Sequence, residues 1–180
     1  MGVGSFIKNC RGSKKMSEKW TIVDIDENEV GLTWERDSNL KIPDGLFHVA
    51  VSVWIKDQNR NILLTQRHPD KTWGLKWECS GGSVLAGESV IDGVQRELRE
   101  ETGIILPKDK LKYLGKTVME DRHCIMHTFL GHVGSEIALH LQPEEVVDAK
   151  WVAVQKLEQM KDEIVATVWE RYLQFKDELK

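Results

Sequence analysis

The sequence predicts an α/β domain in which helices cover both faces of a mixed β-sheet. Two observations predict this class: short apolar runs of strand length, and longer segments with apolar residues at helical spacing that interleave with them. A third is the length of 180 residues, which suits one domain able to bury a core without disulfides or a structural metal. We expect residues 1–15 to be a disordered leader or extension, followed by a single domain over residues 16–180.

Seven short segments, most of them rich in β-branched or aromatic residues and bounded by polar turns, predict the strands. They are residues 20–26, 30–34, 48–55, 62–66, 111–117, 123–133 and 146–154. The strongly apolar segment 48–55 is expected at the centre of the sheet. A polar turn at 57–61 joins it to segment 62–66, which predicts a hairpin.

Two segments predict helices, and a third predicts a functional loop. Residues 88–102 carry an apolar stripe and stop before Gly103, a residue suited to ending a helix. Residues 157–179 predict a closing helix, because their apolar side chains recur at helical spacing. Residues 67–87 are rich in glycine and scattered charges, and a loop of that length in a compact domain is usually functional.

Charge and cysteine content exclude several classes of function. With 29 acidic and 25 basic residues the chain has a net charge of −4, which argues against a nucleic-acid polymer or an anionic membrane as partner. Cys10, Cys79 and Cys124 are too few and too scattered for a disulfide framework or a zinc site, and predict reduced thiols in a cytoplasmic protein. No apolar run approaches the ~18 residues of a membrane span.

Three glutamates on the first predicted helix carry the strongest chemical signal. Glu97, Glu100 and Glu101 are spaced i, i+3 and i+4, which places them on one helix face. Their mutual repulsion costs about 0.2–0.5 kcal/mol for each pair, and an Arg96–Glu100 contact offsets only part of it. Clustered oxygen ligands with excess negative charge suit Mg²⁺ or Mn²⁺. A solvated acidic face is the alternative.

The surrounding 23 residues favour the metal site. They match the pattern Gx5Ex7REUxEExGU, in which U is aliphatic, at every defined position: Gly82, Glu88, Arg96, Glu97, Leu98, Glu100, Glu101, Gly103 and Ile104. This pattern is the Nudix box, and the chain therefore resembles the Nudix family. The resemblance implies an α/β/α Nudix sandwich with a catalytic loop–helix–loop. It also implies hydrolysis of a diphosphate linkage, typically in a nucleoside diphosphate derivative.

The resemblance assigns metal-binding roles to four residues of this chain. Glu97 and Glu101 match the principal ligands, and Glu100 matches a further ligand or the base that activates water. Gly81 matches a residue whose backbone carbonyl completes the metal shell. Two or three Mg²⁺ or Mn²⁺ ions are expected, since they would neutralise the diphosphate and lower the pKa of the attacking water.

Other residues are expected to support this site. Arg96 matches the residue that orients the glutamates, Glu88 matches the residue that braces Arg96, and Gly82 is expected to give a sharp turn its backbone freedom. A further base or ligand after the box stays open among four residues. These are Glu120, Glu136, Glu144 and Glu145.

Beyond the box, roughly residues 19–155 resemble the branch that contains isopentenyl-diphosphate isomerase. Arg67 and Lys71 match the spacing of a basic pair that grips the diphosphate there, with ordinary loop charge as the alternative. The chain lacks the isomerase's Cys-Gly-His run before the box and its downstream Glu-x-Glu pair. We therefore favour a hydrolase, and keep an isomerase and a non-catalytic nucleotide-sensing module as alternatives.

The sequence leaves the substrate open beyond a small-molecule diphosphate. Trp73 and Trp77 could stack on a base or belong to the core. His48 resembles a metal-ligand position of the isomerase, but without that enzyme's other ligands it is better explained as a strand histidine or a substrate contact. The amphipathic C-terminal helix would permit a homodimer without requiring one.

Overall fold

The computed structural model describes residues 18–36, 38, 40–134 and 137–180. The expected leader at residues 1–15, together with Cys10 and the candidate base Glu136, lies outside the described residues. The described strands and α-helices are β1 (Lys19–Val23), β2 (Glu29–Glu35), β3 (Phe47–Lys56), β4 (Asn61–Arg67), β5 (Trp77–Glu78), β6 (Ser80–Ser83), α1 (Val90–Thr102), β7 (Leu111–Met119), β8 (Cys124–His132), β9 (Val146–Ala153) and α2 (Ala166–Leu179).

Strand β3 lies at the centre of one mixed sheet, as its apolar sequence predicts. It runs parallel to β8 along its whole length on one edge, while β1, β6 and β4 pair antiparallel with successive parts of its other edge. The outer strands follow antiparallel: β7 beside β8, β2 beside β1, and both β9 and β5 beside β4. The expected mixed sheet is confirmed.

The predicted hairpin of β3 and β4 forms, but its strands separate directly after the turn. Across these two fully described strands, Lys56 opposite Ile62 is the single register pair. Farther along, β4 pairs with β5 and β3 pairs with β6, while β9 pairs with β4 from Asn61 to Arg67. The chain therefore crosses from the edge of β4 to the edge of β3 at Cys79, between β5 and β6.

The prediction of a long loop over residues 67–87 is wrong in part, because this segment also contains β5 and β6. Their sequences, Trp-Glu and Ser-Gly-Gly-Ser, are too short to show alternation, and glycine weakens the strand signal further. Backbone pairing with β3 and β4, rather than side-chain pattern, holds these two strands in the sheet.

Helix α1 agrees with the prediction within two residues. The Ser89 side chain accepts a hydrogen bond from the Asp92 amide at the first turn, and Gly103 ends the helix with a φ of 76°. The apolar stripe packs inward, with Val94 and Leu98 fully buried. Neither α1 nor α2, the α-helices of the described residues, is long and apolar enough to cross a membrane.

The single closing helix predicted over residues 157–179 is wrong in its first half. Residues Val154–Glu163 form a 3-10 helix, and α2 begins only at Ala166. Ile164 and Val165 are extended between them because they pair with β5: the Val165 amide donates to the Trp77 carbonyl at 3.0 Å. This tertiary contact overrides the local helical preference.

The two helices cover opposite faces of the sheet, and each face has its own core. Alternate residues of β3 show this: Val51, Val53 and Ile55 pack with α1, whereas Trp54 packs with α2. The predicted α/β class with helices on both faces is therefore confirmed. The residues of the box lie on α1 and on β6, directly beside the first of these cores.

Candidate active site

Helix α1 and strand β6 bring the box residues to the wall of one cavity of about 630 Å³. Seven of the predicted site residues line it: Arg67, Lys71, Gly81, Arg96, Glu97, Glu100 and Glu101. Glu88, the eighth, contacts Arg96 instead. The fold thus brings together, at one cavity, side chains that lie up to 34 positions apart in the sequence, from Arg67 to Glu101.

Arg96 connects three carboxylates of this site. Its Nε and Nη2 atoms donate to the two Glu88 oxygens at 2.9 and 3.0 Å, and Nη1 donates to Glu97 at 2.7 Å and to Glu100 at 3.3 Å. Nη2 also donates to the Ser83 carbonyl at 2.8 Å. Burial lowers the pKa of Arg96, but its hydrogen bonds to Glu88 and the charge of Glu97 outweigh this and raise that pKa above its usual value.

Glu88 also fixes the loop that precedes α1. Its Oε2 atom accepts a hydrogen bond from the Leu85 amide at 3.0 Å, so that one carboxylate joins this loop to Arg96 in the helix. The side chains of Glu88 and Arg96 are 14% and 16% exposed, which shields their contact from solvent.

Glu97 and Glu101 place two carboxylates in a poorly solvated position. Glu101 is 5% exposed, and its Oε2 atom accepts a hydrogen bond from the Gly81 amide at 3.3 Å. Burial raises the pKa of Glu101 well above its usual value, and the charges of Glu78 and Glu97 raise it further. Burial also raises the pKa of Glu97, by more than the charge of Arg96 lowers it. A cation beside these carboxylates would therefore be stabilising.

The carboxylates are not arranged as a finished metal shell. Within the described ranges, no three His, Cys, Asp or Glu side chains converge on a common metal position. Glu97 and Glu100 are directed to Arg96, while Glu101 is directed to the Gly81 amide. The donor set nevertheless fits a divalent cation such as Mg²⁺ or Mn²⁺, because these are hard oxygen donors whose mutual repulsion a cation relieves.

Gly82 leaves room for the Glu97 carboxylate. A Cβ atom at position 82 would lie 2.3 Å from Glu97 Oε1 and 2.5 Å from Glu97 Cδ. The expectation that Gly82 supplies backbone freedom for a sharp turn is wrong, because Gly82 lies in β6 without a positive φ. The left-handed conformation belongs instead to Gly87, with a φ of 80°, in the turn before α1.

Arg67 and Lys71 line the cavity, but each is already bound to a carboxylate. Arg67 Nη1 donates to both oxygens of Glu78, at 2.6 and 2.7 Å, and Lys71 forms a salt bridge with Glu145. Burial, and then the charge of Arg67, lower the pKa of Lys71. No role was predicted for Glu78. A single glutamate next to Trp77 is part of no recognisable motif, and its contact with Arg67 depends on the pairing of β4 with β5.

The other candidate residues are divided between the cavity and the rest of the fold. Of the described candidate bases, Glu145 lines the cavity, whereas Glu120 and Glu144 are exposed elsewhere. His48 stacks on Trp20 with ring centroids 4.4 Å apart, and its Nδ1 atom lies 2.8 Å from the His123 carbonyl.

The two tryptophans before the box differ in their surroundings. Trp77 is buried in the core on the α2 face, and Lys150 Nζ lies 3.8 Å from its ring centroid. Trp73 is 38% exposed, with the Arg122 guanidinium 4.4 Å from its ring centroid. Trp77 therefore belongs to the core, and of these two residues Trp73 is the one whose ring a ligand could reach.

Comparison of sequences identifies relatives in two functional groups. The family model for the NUDIX domain matches residues 46–172. Nudix hydrolase 3 of Arabidopsis thaliana is 36% identical over 123 residues, which span 61% of this chain but only 16% of the plant protein. An uncharacterized Nudix hydrolase of Listeria monocytogenes is 29% identical over 150 residues, 80% of this chain and 85% of that protein. Isopentenyl-diphosphate Delta-isomerase 2 of Photorhabdus laumondii is 30% identical over 164 residues, 86% of this chain and 89% of that protein.

Solved structures share the fold. A MutT protein from Methanosarcina mazei has a TM-score of 0.64 and 26% identity, covering 79% of this chain and 99% of that one. The NUDIX domain of Shewanella oneidensis NrtR, crystallised with ADP ribose, has a TM-score of 0.61 and 19% identity over 73% and 88% of the two chains. A bifunctional NMN adenylyltransferase/ADP ribose pyrophosphatase from Francisella tularensis, complexed with AMP and a manganese ion, has a TM-score of 0.63 and 19% identity over 79% and 44%. These similarities confirm the predicted α/β/α sandwich.

Proposed function

The chain belongs to the Nudix family, and from that premise we propose that it is a divalent-metal-dependent hydrolase of diphosphate linkages in nucleoside diphosphate derivatives. The observation that supports this most is the shared cavity. The helix glutamates and the basic pair Arg67 and Lys71 line the same 630 Å³ space, although they come from separate parts of the chain. Carboxylates for metal and cations for phosphate are the two groups that such a reaction needs.

The metal would be held by Glu97, Glu100, Glu101 and the carbonyl of Gly81. When bound, two or three Mg²⁺ or Mn²⁺ ions would supply charge neutralisation and a more acidic water. The raised pKa values of Glu97 and Glu101 support this assignment, because burial disfavours both charged carboxylates and a bound cation would offset that cost.

The remaining residues of the cavity bind, orient and accept protons. Arg67 and Lys71 are assigned to the diphosphate oxygens, with Glu78 holding the Arg67 guanidinium in place through both carboxylate oxygens. Arg96 orients Glu97 and is itself braced by Glu88. Glu100, whose side chain is 44% exposed, is assigned either to a further metal position or to accepting the proton of the attacking water.

A second candidate function is isomerisation of an allylic diphosphate. The similarity to the Photorhabdus isomerase over 89% of that protein favours it. Cys79 argues against it: the residue is 3% exposed, and burial raises the pKa of its thiol to about 11. A neutral, buried thiol is a poor catalytic group at physiological pH.

A substrate screen tests the proposal. Nucleotide sugars, dinucleotides, ADP-ribose and prenyl diphosphates are incubated with Mg²⁺ or Mn²⁺, and the release of phosphate or nucleotide is measured. Isopentenyl diphosphate is also followed by NMR, where a double-bond shift would favour the isomerase. Tight binding of a nucleotide without turnover would favour the sensing module.

Two variants then test the residues. Glu97→Gln and Glu101→Gln should abolish metal-dependent hydrolysis while the circular dichroism spectrum stays unchanged. Glu170→Gln, an exposed glutamate on α2, is the matched control and should retain the wild-type rate. An unchanged rate in either cavity variant would remove the proposed metal role.

A further inference from the structure

A second cavity of about 320 Å³, here named the α2 cavity, lies between strands β3 and β8 and the first turns of α2. It shares Arg67 and the backbone of residues 81–83 with the cavity that contains the helix glutamates. Because residues 81 and 82 are glycines, no side chain from them fills the boundary. A ligand held at the glutamates therefore has the α2 cavity directly beside it.

Arg171 is the unusual residue of the α2 cavity. It lies on α2, lines the cavity, and is only 5% exposed. Its Nε atom is buried without a hydrogen-bond partner, while the rest of the guanidinium has the Cys79 thiol as a hydrogen-bond partner. Within the part of the chain that the structure describes, Arg171 is near the charge of Glu78 but forms no salt bridge with a carboxylate. A buried guanidinium without an anion is costly, so that such a residue needs either a partner or a function.

The protein supplies too little negative charge to this cavity. Glu78 is the single carboxylate among the described residues of its wall, and both Glu78 oxygens are bound to Arg67 Nη1. Three guanidinium groups, those of Arg67, Arg122 and Arg171, lie on the same wall. Arg122 also has Asp121 Oδ2 at 3.7 Å, but that carboxylate is 81% exposed and does not line the cavity. Among the charged side chains of the wall itself, one carboxylate thus faces three guanidinium groups, and Arg171, the buried one of the three, has no carboxylate partner in the described part of the chain.

The other titratable groups of the wall do not offset this excess. Cys79 and Cys124 are buried thiols and not carboxylates, and burial raises the pKa of the Cys124 thiol to about 12. His48 also lines the cavity, and burial lowers its pKa, which favours the neutral imidazole. A histidine in either form carries no negative charge. The excess positive charge therefore remains available to an anion from outside the protein.

The cavity also has an apolar part. Trp73, Met119 and Met126 belong to its wall, and the Arg122 guanidinium lies over the Trp73 ring. Arg122 and Trp73 are both exposed, whereas Arg171 is buried. A ligand would meet an arginine and an aromatic ring first, and then, deeper in the protein, a second arginine without a carboxylate partner among the described residues.

We propose that the α2 cavity is a specificity site that binds an anionic group, a phosphate or a carboxylate, which the substrate carries in addition to its scissile diphosphate. The assignment of this group to the substrate rests on the proposed function, because the hydrolysed linkage must lie at the neighbouring glutamates. The anion would pair with Arg171 and Arg122, while Arg67 remains shared between the two cavities.

The first experiment measures anion binding without hydrolysis. Wild-type protein in EDTA is titrated with inorganic phosphate against sodium chloride of the same ionic strength, and the melting temperature is recorded. Phosphate should raise the melting temperature of the wild type and of Lys176→Met, which removes one charge from the same helix outside the cavity. The rise should be clearly smaller in Arg171→Met, in which only Arg67 and Lys71 of the neighbouring cavity remain to bind phosphate. Equal shifts in wild type and Arg171→Met would overturn the proposal.

The unliganded melting temperature gives a second readout. If Arg171 serves a ligand, Arg171→Met should melt no lower than the wild type, because the change removes an uncompensated buried charge. A purely structural role would make this variant less stable. Should Arg171→Met fail to fold, Arg122→Met at the exposed end of the cavity replaces it in the phosphate titration, with the same expected reduction of the shift.

The second experiment uses substrate pairs that differ only in one remote anion. The pairs are NAD and NADP, dephospho-coenzyme A and coenzyme A, and UDP-glucose and UDP-glucuronic acid. In at least one pair, wild-type kcat/KM should favour the anionic member by about tenfold, as expected for one charge-assisted contact. In Arg171→Met this ratio should fall to about one.

The two experiments separate the two proposals. A phosphate shift that depends on Arg171, without hydrolysis of any diphosphate, would contradict the proposed function and leave the anion site intact. Hydrolysis of diphosphates with no phosphate shift and no preference within the pairs would overturn the anion site alone.

Discussion

Arg96 and Glu88, eight residues apart, are joined by two parallel hydrogen bonds of 2.9 and 3.0 Å. Because Arg96 Nη1 also donates to Glu97, the position of Glu88 determines where the Glu97 carboxylate lies. Glu88 is bound in turn to the Leu85 amide in the preceding loop. The geometry of the glutamate cluster thus depends on a residue that does not line the cavity itself.

Replacing Glu88 by Gln should therefore damage both activity and stability. The variant keeps the shape of the side chain but removes one of the three carboxylates that contact Arg96, the one that binds it through two hydrogen bonds. We expect a loss of about 1–3 kcal/mol in the free energy of unfolding. Hydrolysis should fall at least tenfold through kcat, because Glu97 is no longer held in place. Urea unfolding and steady-state kinetics measure the two effects. A variant with wild-type kcat would contradict the assigned role of Glu88.

Gly82→Ala should remove activity while the fold is retained. The added Cβ would lie 2.3 Å from Glu97 Oε1, and Arg96 holds that carboxylate, so that Glu97 must rotate away from the cavity. We expect a loss of about a hundredfold in kcat/KM, comparable to that from a misplaced catalytic group. Gly134→Ala is the control, because a Cβ there meets only Gln58 Nε2, at 4.0 Å. Equal activity of the two variants would show that Glu97 tolerates displacement.

The parts of the fold with a side-chain pattern were predictable from the sequence. Helix α1 has a capping serine, an apolar stripe and a terminal glycine, and each of these local signals agrees with the observed helix. Strand β3 was predicted as central because both of its faces are apolar, and it carries residues of both cores. These elements are specified by short stretches of sequence.

The parts held by distant contacts were not predictable. Strands β5 and β6 exist because β4 and β3 pair with them, and the break between the 3-10 helix and α2 exists because Val165 bonds to Trp77. In the candidate site, too, some features follow from local sequence and others from distant contacts. The box fixes the glutamates by spacing, whereas the contact of Arg67 with Glu78 depends on the pairing of β4 with β5.

Cys79→Ala should preserve hydrolysis. The Cys79 thiol is buried, and its pKa of about 11 keeps it neutral, so that it has no expected part in the reaction. The loss of a buried sulfur should cost roughly 1–2 kcal/mol of stability through the cavity it leaves. Kinetics and thermal melting distinguish these effects. A large fall in kcat at unchanged stability would instead support chemistry of the isomerase type at Cys79.

His48 should make the stability of the protein depend on pH near neutrality. Burial lowers its pKa below the ordinary value of 6.5, against a smaller opposite effect of the hydrogen bond to the His123 carbonyl. The unfolded chain therefore binds a proton more readily than the folded protein. The contribution of His48 to stability is present above pH 6.5 and is lost as the pH falls below it.

The comparison with His48→Phe isolates this effect. The phenylalanine ring can still stack on Trp20, and the variant protein has the same titrating groups as the wild type apart from His48. Between pH 8 and pH 5, the wild type should lose unfolding free energy relative to the variant. The loss should reach about 1.4 kcal/mol for each unit by which the two pKa values differ. Urea unfolding followed by tryptophan fluorescence measures the difference at each pH. If the difference in unfolding free energy between the two proteins did not change with pH, His48 would have the same pKa in the folded and the unfolded chain.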